Sequence, residues 1–349
     1  MHEMKAVNEV RQLLGGLDPA RHVRPADENS RVRDLGRILA SDRVVGSVRL
    51  GHPRRRFVLA AAGAAVVAVA AGGVALEMFR QPQPAFAATP AILNYGPPVS
   101  EEPASARLRR LAALAAAQPA AQQPAGTVEY LESTNWFLNS SISGGRTTSA
   151  VVPQQWRSWR TDDDAGRMVK KELPPSFRTD ADRREWWQRG GGRIDSSEEV
   201  RDFATGGFYS RFQGSVPTDA GVLRQWLTAG ASAHEAPVQY LEDVAELAGV
   251  RLLNPAQRAA VLRLLSDLPG VTVSGSVTDR AGRPGEAFSI VSDAHGLPAQ
   301  YTVIVDSGTG ALLGYEEMLT TTAGKLNVTI PAVISYRSYL VAEYAAMPR

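Results

Sequence analysis

The chain has 349 residues, of which 44% are hydrophobic and 21% charged, proportions typical of a folded protein with two regions. It contains no cysteine, which excludes disulfides, cysteine-ligated zinc, iron–sulfur clusters and thiol catalysis. The net charge of +2 is too small for a dedicated nucleic-acid binder, so no nucleic-acid partner is expected.

The first 56 residues form a short basic segment, with twelve Lys and Arg against seven Asp and Glu, a net charge of +5. Met4, Val7, Val10 and Leu14 recur on one helical face, and a smaller apolar patch follows later in the segment. Two such short amphipathic pieces bury too little surface to fold alone. Segment 1–56 is either a docking peptide for a cytosolic partner or a solvated basic tail that contacts anionic lipid.

A run of twenty residues from Phe57 to Leu76 contains no charged or strongly polar side chain. As an α-helix it would be about 30 Å long, which matches the hydrocarbon core of a bilayer. A helix in the core of a soluble protein normally shows a polar face, and this run has none. The run therefore predicts one transmembrane helix in contact with membrane lipid.

The charges on the two flanks orient this helix. The preceding flank, residues 37–56, contains six arginines and one acid and ends in Arg54, Arg55 and Arg56, whereas residues 77–100 contain one cation. Because cytoplasmic flanks carry the excess of Lys and Arg, the N-terminus is expected inside. Everything after the helix is then expected outside the cytoplasmic membrane.

A cleaved export signal is the alternative interpretation of the same stretch. The three arginines followed by apolar residues resemble a twin-arginine motif, and Ala85-Phe86-Ala87 offers a cleavage site. More than fifty residues precede the arginines, however, and the apolar run is longer than the core of a signal peptide. These two features favour a stable anchor.

The chain after the membrane helix divides into a tether and a domain. Residues 77–104 contain six prolines, which predicts a semi-extended tether. Residues 105–349 are expected to form one extracytoplasmic domain. It opens with a predicted helix whose apolar face contains Leu108, Leu111, Ala112 and Ala115.

The rest of the domain predicts an α+β fold with an antiparallel, half-barrel-like sheet and packed helices. Apolar alternation and turn residues predict strands over 128–137, Thr147–Val152, Gln155–Arg160, Arg167–Glu172, Val271–Thr278, Ala287–Val291, Tyr301–Val305, Ala311–Thr321 and Val333–Tyr339. Helices are predicted after Thr218, over Pro237–Leu247 and over Pro255–Leu268, the last with Asn254 as N-cap. The stretch 174–217 is polar and turn-rich, and no element is predicted there.

Turn motifs in the C-terminal half carry a family resemblance. They are Leu268-Pro269-Gly270-Val271, Asp279, Gly282-Arg283, Gly285, Asp306, Thr309-Gly310 and Leu312-Leu313. They resemble the C-terminal signature of a family of actinobacterial single-pass membrane proteins, usually encoded beside extracytoplasmic-function sigma factors. Ala87-Ala88-Thr89-Pro90 and Glu3-Met4-Lys5 are similar too. The domain more distantly resembles the half-barrel of lipoprotein carriers and periplasmic sigma regulators. The resemblance implies a cell-envelope protein with a possible sigma-factor partner for segment 1–56.

No catalytic, cofactor or metal site is predicted. His234 and His295 lie in loop-like positions, and no G-x-S-x-G or S-x-x-K motif accompanies them. Asp162-Asp163-Asp164 is interpreted as a hairpin tip and Asp306-x-Gly-x-Gly as a turn. Gly190-Gly191-Gly192 lacks the Lys and Ser/Thr of a phosphate loop. The protein is therefore not expected to be an enzyme.

The tryptophans allow two interpretations. Trp156 and Trp159 are three apart on a predicted strand, so their side chains are expected on opposite faces of the sheet. Trp186, Trp187 and Trp226 lie elsewhere in the domain. They are either ordinary core aromatics or part of an apolar groove beneath the helices.

Two functional classes follow from the sequence. The first is a membrane-anchored, non-enzymatic sensor or regulator tied to an extracytoplasmic-function sigma factor. The second is a tethered module of the cell envelope that binds a lipid or small apolar ligand.

Overall fold

The computed structural model of the chain describes residues 87–348, except 139–140, 144–145, 149, 178, 189–196, 209–210 and 230–235. The basic segment 1–56 and the predicted membrane span Phe57–Leu76 lie outside the described residues. None of the helices in the described part combines the length and apolarity needed to cross a bilayer.

Eleven strands and five helices are described. The strands are β1 Thr127–Phe137, β2 Ser141–Ser143, β3 Arg146–Thr148, β4 Gln154–Arg160, β5 Gly166–Glu172, β6 Glu198–Phe203, β7 Thr272–Thr278, β8 Pro284–Ser292, β9 Ala299–Val305, β10 Leu312–Leu319 and β11 Ala332–Ala346. The helices are α1 Ala104–Ala117, α2 Asp180–Gln188, α3 Ala220–Leu227, α4 Pro237–Val250 and α5 Pro255–Ser266.

The predicted α+β class with an antiparallel sheet is confirmed. Nine strands form one sheet in the order β6-β5-β4-β1-β11-β10-β9-β8-β7, and β2 and β3 form a separate hairpin. Two meanders, β4 to β6 and β7 to β11, meet at β1, which pairs with β4 on one side and β11 on the other. The last strand, predicted over Val333–Tyr339, extends to Ala346 and lies inside the sheet.

Local sequence signals account for the helices. The four residues predicted on the apolar face of α1 are all fully buried, which confirms that face. Helix α5 has Asn254 as its N-cap. Asn254 Oδ1 accepts a hydrogen bond from the Gln257 backbone amide at 3.0 Å, and the Gln257 side chain accepts one from the Asn254 backbone amide at 2.8 Å. This reciprocal cap satisfies two backbone donors at the start of the helix.

The core lies between the helices and one face of the sheet, here called the inner face. Tyr301 and Val303 of β9 are fully buried in the same apolar cluster as Leu241 and Leu247 of α4 and Leu262 of α5. The opposite, outer face carries a smaller cluster, formed by Val277, Ala287, Ile304 and Leu313. Side chains therefore alternate between two apolar layers along the C-terminal strands.

Part of the predicted tether lies on the outer face. Tyr95 forms an antiparallel bridge with Val277, and the Gly96 amide donates to the Ser276 carbonyl at 2.8 Å. Leu93 and Tyr95 pack against the outer-face cluster. Gly275 has a φ of +125°, and a Cβ at that position would meet the Gly96 carbonyl oxygen. Residues 87–98 are thus seated on the domain rather than extending from it.

The middle of the domain contains elements that the sequence did not predict. Helix α2 and strand β6 lie within the stretch 174–217. Strand β6 has the sequence EEVRDF, and its first five residues are exposed. Charged residues are typical of an edge strand, because they oppose pairing with another chain, and they also erase the apolar alternation by which strands are predicted. The strand predicted over Thr147–Val152 is replaced by β3 and an irregular segment.

Candidate functional site

A small pocket opens on the inner face between β1, β4, β5 and the C-terminal end of α4. Its apolar walls are formed by Leu131, Trp156, Met168, Phe208 and Val250. The cavity volume is ≈ 30 Å³, which is room for about two water molecules. Ligand pockets for drug-sized molecules measure about 300–1,000 Å³. This pocket, here called the inner-face pocket, therefore fits a small chemical group.

Polar side chains line the rest of the inner-face pocket. Ser133, Asn135 and Ser158 are buried, and the Asn135 amide nitrogen donates to Ser133 Oγ at 2.9 Å. Arg337 of β11 also lines the pocket, and its guanidinium carbon lies 5.9 Å from the centre of the Phe137 ring. The lining residues include no acid. The polar part of the pocket is consequently cationic.

The two tryptophans of β4 lie on opposite faces, as predicted. Trp156 lines the inner-face pocket, and the Lys170 ammonium lies 4.3 Å from the centre of its ring. Trp159 stacks on Tyr130 with 4.9 Å between ring centroids, on the other face of the sheet. Only Trp156 is therefore available to a ligand in this pocket.

A second cluster of functional groups joins α4, β10 and the loop after β8. His295 Nε2 lies 2.9 Å from Glu242 Oε2, and the His295 ring meets the Tyr301 ring edge-on at 5.9 Å. This hydrogen bond raises the pKa of the His295 imidazole above its usual value. Burial, with a contribution from the negative charge of Glu242, raises the pKa of the Glu317 carboxyl to about 7. Glu242, His295 and Glu317 are here called the acid cluster.

Sequence reasoning found one member of the acid cluster and missed the other two. The sequence marks His295 as a loop histidine, whereas Glu317 belongs to an ordinary strand pattern and Glu242 to an ordinary helix pattern. The cluster arises only when these elements pack together, and no local spacing signals it. Within the described residues, no group of three His, Asp or Glu side chains is arranged to hold a metal ion.

The predicted acidic turns lie at the places expected of them. Asp306 Oδ1 accepts hydrogen bonds from the Gly308 and Thr309 amides at 3.0 and 2.6 Å, which closes the β9–β10 turn. Asp163 accepts from the Thr205 hydroxyl at 2.7 Å at the tip of the β4–β5 hairpin. Asp164 pairs with Arg160. Local hydrogen bonds and ion pairs account for these three carboxylates.

Several residues named from the sequence lie outside the described residues. They are the topology-determining Arg54, Arg55 and Arg56, the span limits Phe57 and Leu76, His234, and Gly190-Gly191-Gly192. The orientation and membrane span assigned to the first group stay predictions.

Comparisons with known proteins give few similarities. No family model and no curated protein matches the chain. A crystal structure of MucB is similar with a TM-score of 0.26 and 14% identity, covering 72% of this chain and 62% of that one. The MucA/MucB complex from Pseudomonas aeruginosa is similar with a TM-score of 0.25 and 15% identity, covering 70% and 58%. The dehydratase domain from the CurK module of curacin polyketide synthase has a TM-score of 0.13 and 12% identity, covering 70% and 83%. The chain spans less than two thirds of the length of either of the first two structures.

Proposed function

We propose that this chain is a membrane-anchored, non-enzymatic regulator. Its extracytoplasmic domain would sense a condition of the cell envelope, and its segment 1–56 would act on an extracytoplasmic-function sigma factor in the cytosol. The observation that carries the proposal is the division of charge and hydropathy along the chain. Segment 1–56 has a net charge of +5, a twenty-residue apolar run follows, and residues 81–349 have a net charge of −3. This division supports an orientation with the basic peptide inside and the folded domain outside.

The described domain supports a recognition role for the outer part. The inner-face pocket combines apolar walls with the guanidinium of Arg337 and the ring of Trp156. Aromatic and arginine side chains in a partly desolvated recess contribute most of the energy in many recognition sites. The acid cluster adds the Glu317 carboxyl, whose pKa of about 7 makes its charge change near neutral pH. Both features suit a domain that responds to its surroundings.

The test of the proposal is co-purification from membranes. Tagged full-length protein should retain a sigma factor after detergent extraction, and deletion of the gene should change that factor's regulon. A variant with Met4, Val7 and Val10 changed to Ser keeps every charge of segment 1–56 and should lose the sigma factor, because the apolar face would be removed. If this variant retains the sigma factor as well as the wild type does, the apolar face is not a docking surface, and segment 1–56 is better described as a solvated basic tail. Absence of any sigma factor together with an unchanged regulon would refute the proposal.

A tethered binding module for a small apolar ligand is the second candidate function. The apolar walls of the inner-face pocket favour it, although a volume of ≈ 30 Å³ is far below that of a lipid acyl chain. Organic extraction of the purified protein followed by mass spectrometry would detect a retained ligand. A stoichiometric lipid would support this candidate, and an empty extract would count against it.

A further inference from the structure

Arg337 differs from most partly buried arginines of the domain in its lack of a partner. The paired arginines contact acids on other elements or in the same turn: Arg107 with Glu286, Arg211 with Asp243, Arg251 with Glu129, Arg280 with Glu316 and Arg283 with Asp279. Among the described residues, Arg337 makes neither a hydrogen bond nor an ion pair, and its recorded contact is with the Phe137 ring. Arg337 is only partly buried, and its unpaired N–H groups are free to bind two oxygens of one anion in the bidentate arrangement that guanidinium favours.

The residues that line the pocket with Arg337 provide hydrogen-bond donors and include no acid. Ser158 lines the same pocket, and its hydroxyl makes no hydrogen bond to another described residue. Asn135 uses one of its two amide protons on Ser133 and keeps the other. The nearby carboxylate of Glu246 on α4 is engaged by Arg211 at 3.6 Å. The pocket therefore offers a guanidinium, a hydroxyl and an amide to an acceptor from outside.

The size and walls of the pocket limit the ligand. A volume of ≈ 30 Å³ accepts a compact planar anion such as a carboxylate and excludes a long acyl chain. Guanidinium and carboxylate match in geometry, because two parallel N–H groups face two oxygens. Leu131, Met168 and Val250 stand beside the polar groups and suit a few apolar carbons attached to the carboxylate.

We propose that the inner-face pocket binds a carboxylate carried on a short apolar group, with Arg337 as the anchoring residue. Two sources share this chemistry: a short-chain fatty acid, and the C-terminus of a peptide that ends in an apolar residue. The inference deepens the proposed function, since it names the class of ligand that the domain would sense. The ligand proposal is argued from the pocket alone. Ligand binding can therefore fail while the chain still retains the sigma factor, and the sigma factor can be lost while the ligand still binds.

The test is equilibrium dialysis with the full chain in lipid nanodiscs, corrected against empty nanodiscs. The probes are propanoate with its neutral isostere propanamide, and acetyl-Ala-Ala with its C-terminal amide. One or both acids should bind at least tenfold more tightly than the matched amide, and the acid that does so identifies the source. Arg337→Gln should remove this tenfold preference. Arg224→Gln should keep it, because Arg224 also lies over a ring, that of Tyr240 at 4.6 Å, but on another surface.

A second variant guards against misfolding of Arg337→Gln. Ser158→Leu fills the pocket from strand β4 and should weaken binding of both acids while Arg337 remains in place. Circular dichroism and the unfolding midpoint verify that each variant is folded. Equal binding of acid and amide by the wild-type chain, undiminished binding by Arg337→Gln, or equal losses in Arg337→Gln and Arg224→Gln would overturn the proposal.

Discussion

His295 Nε2 lies 2.9 Å from Glu242 Oε2, which ties the loop after β8 to helix α4 beside the half-buried carboxyl of Glu317. Two acids and one base therefore share a small region where the helix layer meets the sheet. Their charges are coupled, because Glu242 raises the pKa of Glu317 while His295 opposes that rise. Protonation of a group on the loop, the helix or strand β10 consequently changes the electrostatic interaction among all three elements.

The acid cluster should make the domain more stable as the pH falls towards 5. Glu317 has a folded-state pKa of about 7 against an ordinary 4.5, so the folded state holds a proton that the unfolded state releases between these values. The raised pKa of His295 acts in the same direction from about 6.5 upwards. The free energy of unfolding should therefore decrease with rising pH across this window. Urea unfolding at pH 5, 6, 7 and 8 measures the effect.

Glu317→Gln separates the contribution of this carboxyl from the rest. The variant should be about 1–3 kcal/mol more stable than the wild type at pH 8 and close to it at pH 5, because the amide carries no charge to desolvate. Glu101→Gln changes an exposed acid and should keep the wild-type slope. A pH slope that is the same in wild type and Glu317→Gln would rule out this role for Glu317.

Breaking the buried pair between α1 and β8 should destabilise the domain strongly. Arg107 Nε donates to Glu286 Oε2 at 2.8 Å, and the side chains are only 10% and 2% exposed. Arg107→Met should lower the free energy of unfolding by about 3–5 kcal/mol, because the Glu286 carboxylate would be left buried without a cation. The double variant Arg107→Met/Glu286→Leu should recover most of the loss. A double variant no more stable than the single one would show that packing, and not the unpaired charge, causes the effect.

Removal of the α5 cap should have a smaller effect. Asn254→Ala removes the oxygen that accepts from the Gln257 amide and should cost about 1 kcal/mol in the free energy of unfolding. Asn254→Ser retains an acceptor at the same place and should stay within a few tenths of a kcal/mol of the wild type. Denaturant unfolding of the three proteins decides the matter, and equal losses in both variants would exclude the cap as the cause.

Substitution of Gly275 should release the segment seated on the outer face. A Cβ at this position meets the Gly96 carbonyl, whereas a Cβ at Gly282, which also has a positive φ, meets nothing within 4 Å. Gly275→Ala should speed hydrogen exchange at the Gly96 amide at least tenfold, and Gly282→Ala should leave it unchanged. Equally accelerated exchange in both variants would assign the effect to backbone strain, and unchanged exchange in Gly275→Ala would refute the prediction.

Helices, caps and turns that depend on residues close together in the sequence could be predicted. Strand pairing, which depends on contacts between residues far apart in the sequence, could not. The apolar face of α1, the Asn254 cap and the Asp306 turn follow from spacing within a few positions. The pairing of β1 with β11 joins residues about two hundred positions apart, and periodicity carries no information on such partners.

The candidate site shows the same division. Alternation along β4 predicts that Trp156 and Trp159 lie on opposite faces. Nothing local indicates that Arg337, about 180 residues further on, lines the pocket beside Trp156. The lack of a partner for Arg337 is a property of the assembled sheet. The sequence of a strand shows that a charged side chain is present, whereas only the packed structure shows whether that side chain forms an ion pair.

The position of β11 has a consequence for how the chain acquires its structure. This strand follows the other ten described strands along the chain, yet it lies between β10 and β1 and joins the two meanders. Until it is available, the N-terminal and C-terminal half-sheets each present an open edge, and such edges promote aggregation. Closure across so long a stretch of chain is also slow, since loop-closure entropy is lost before the contacts are gained. A chain truncated before Ala332 should therefore fail to unite its sheet, and stalled or clipped copies would be natural substrates for proteases.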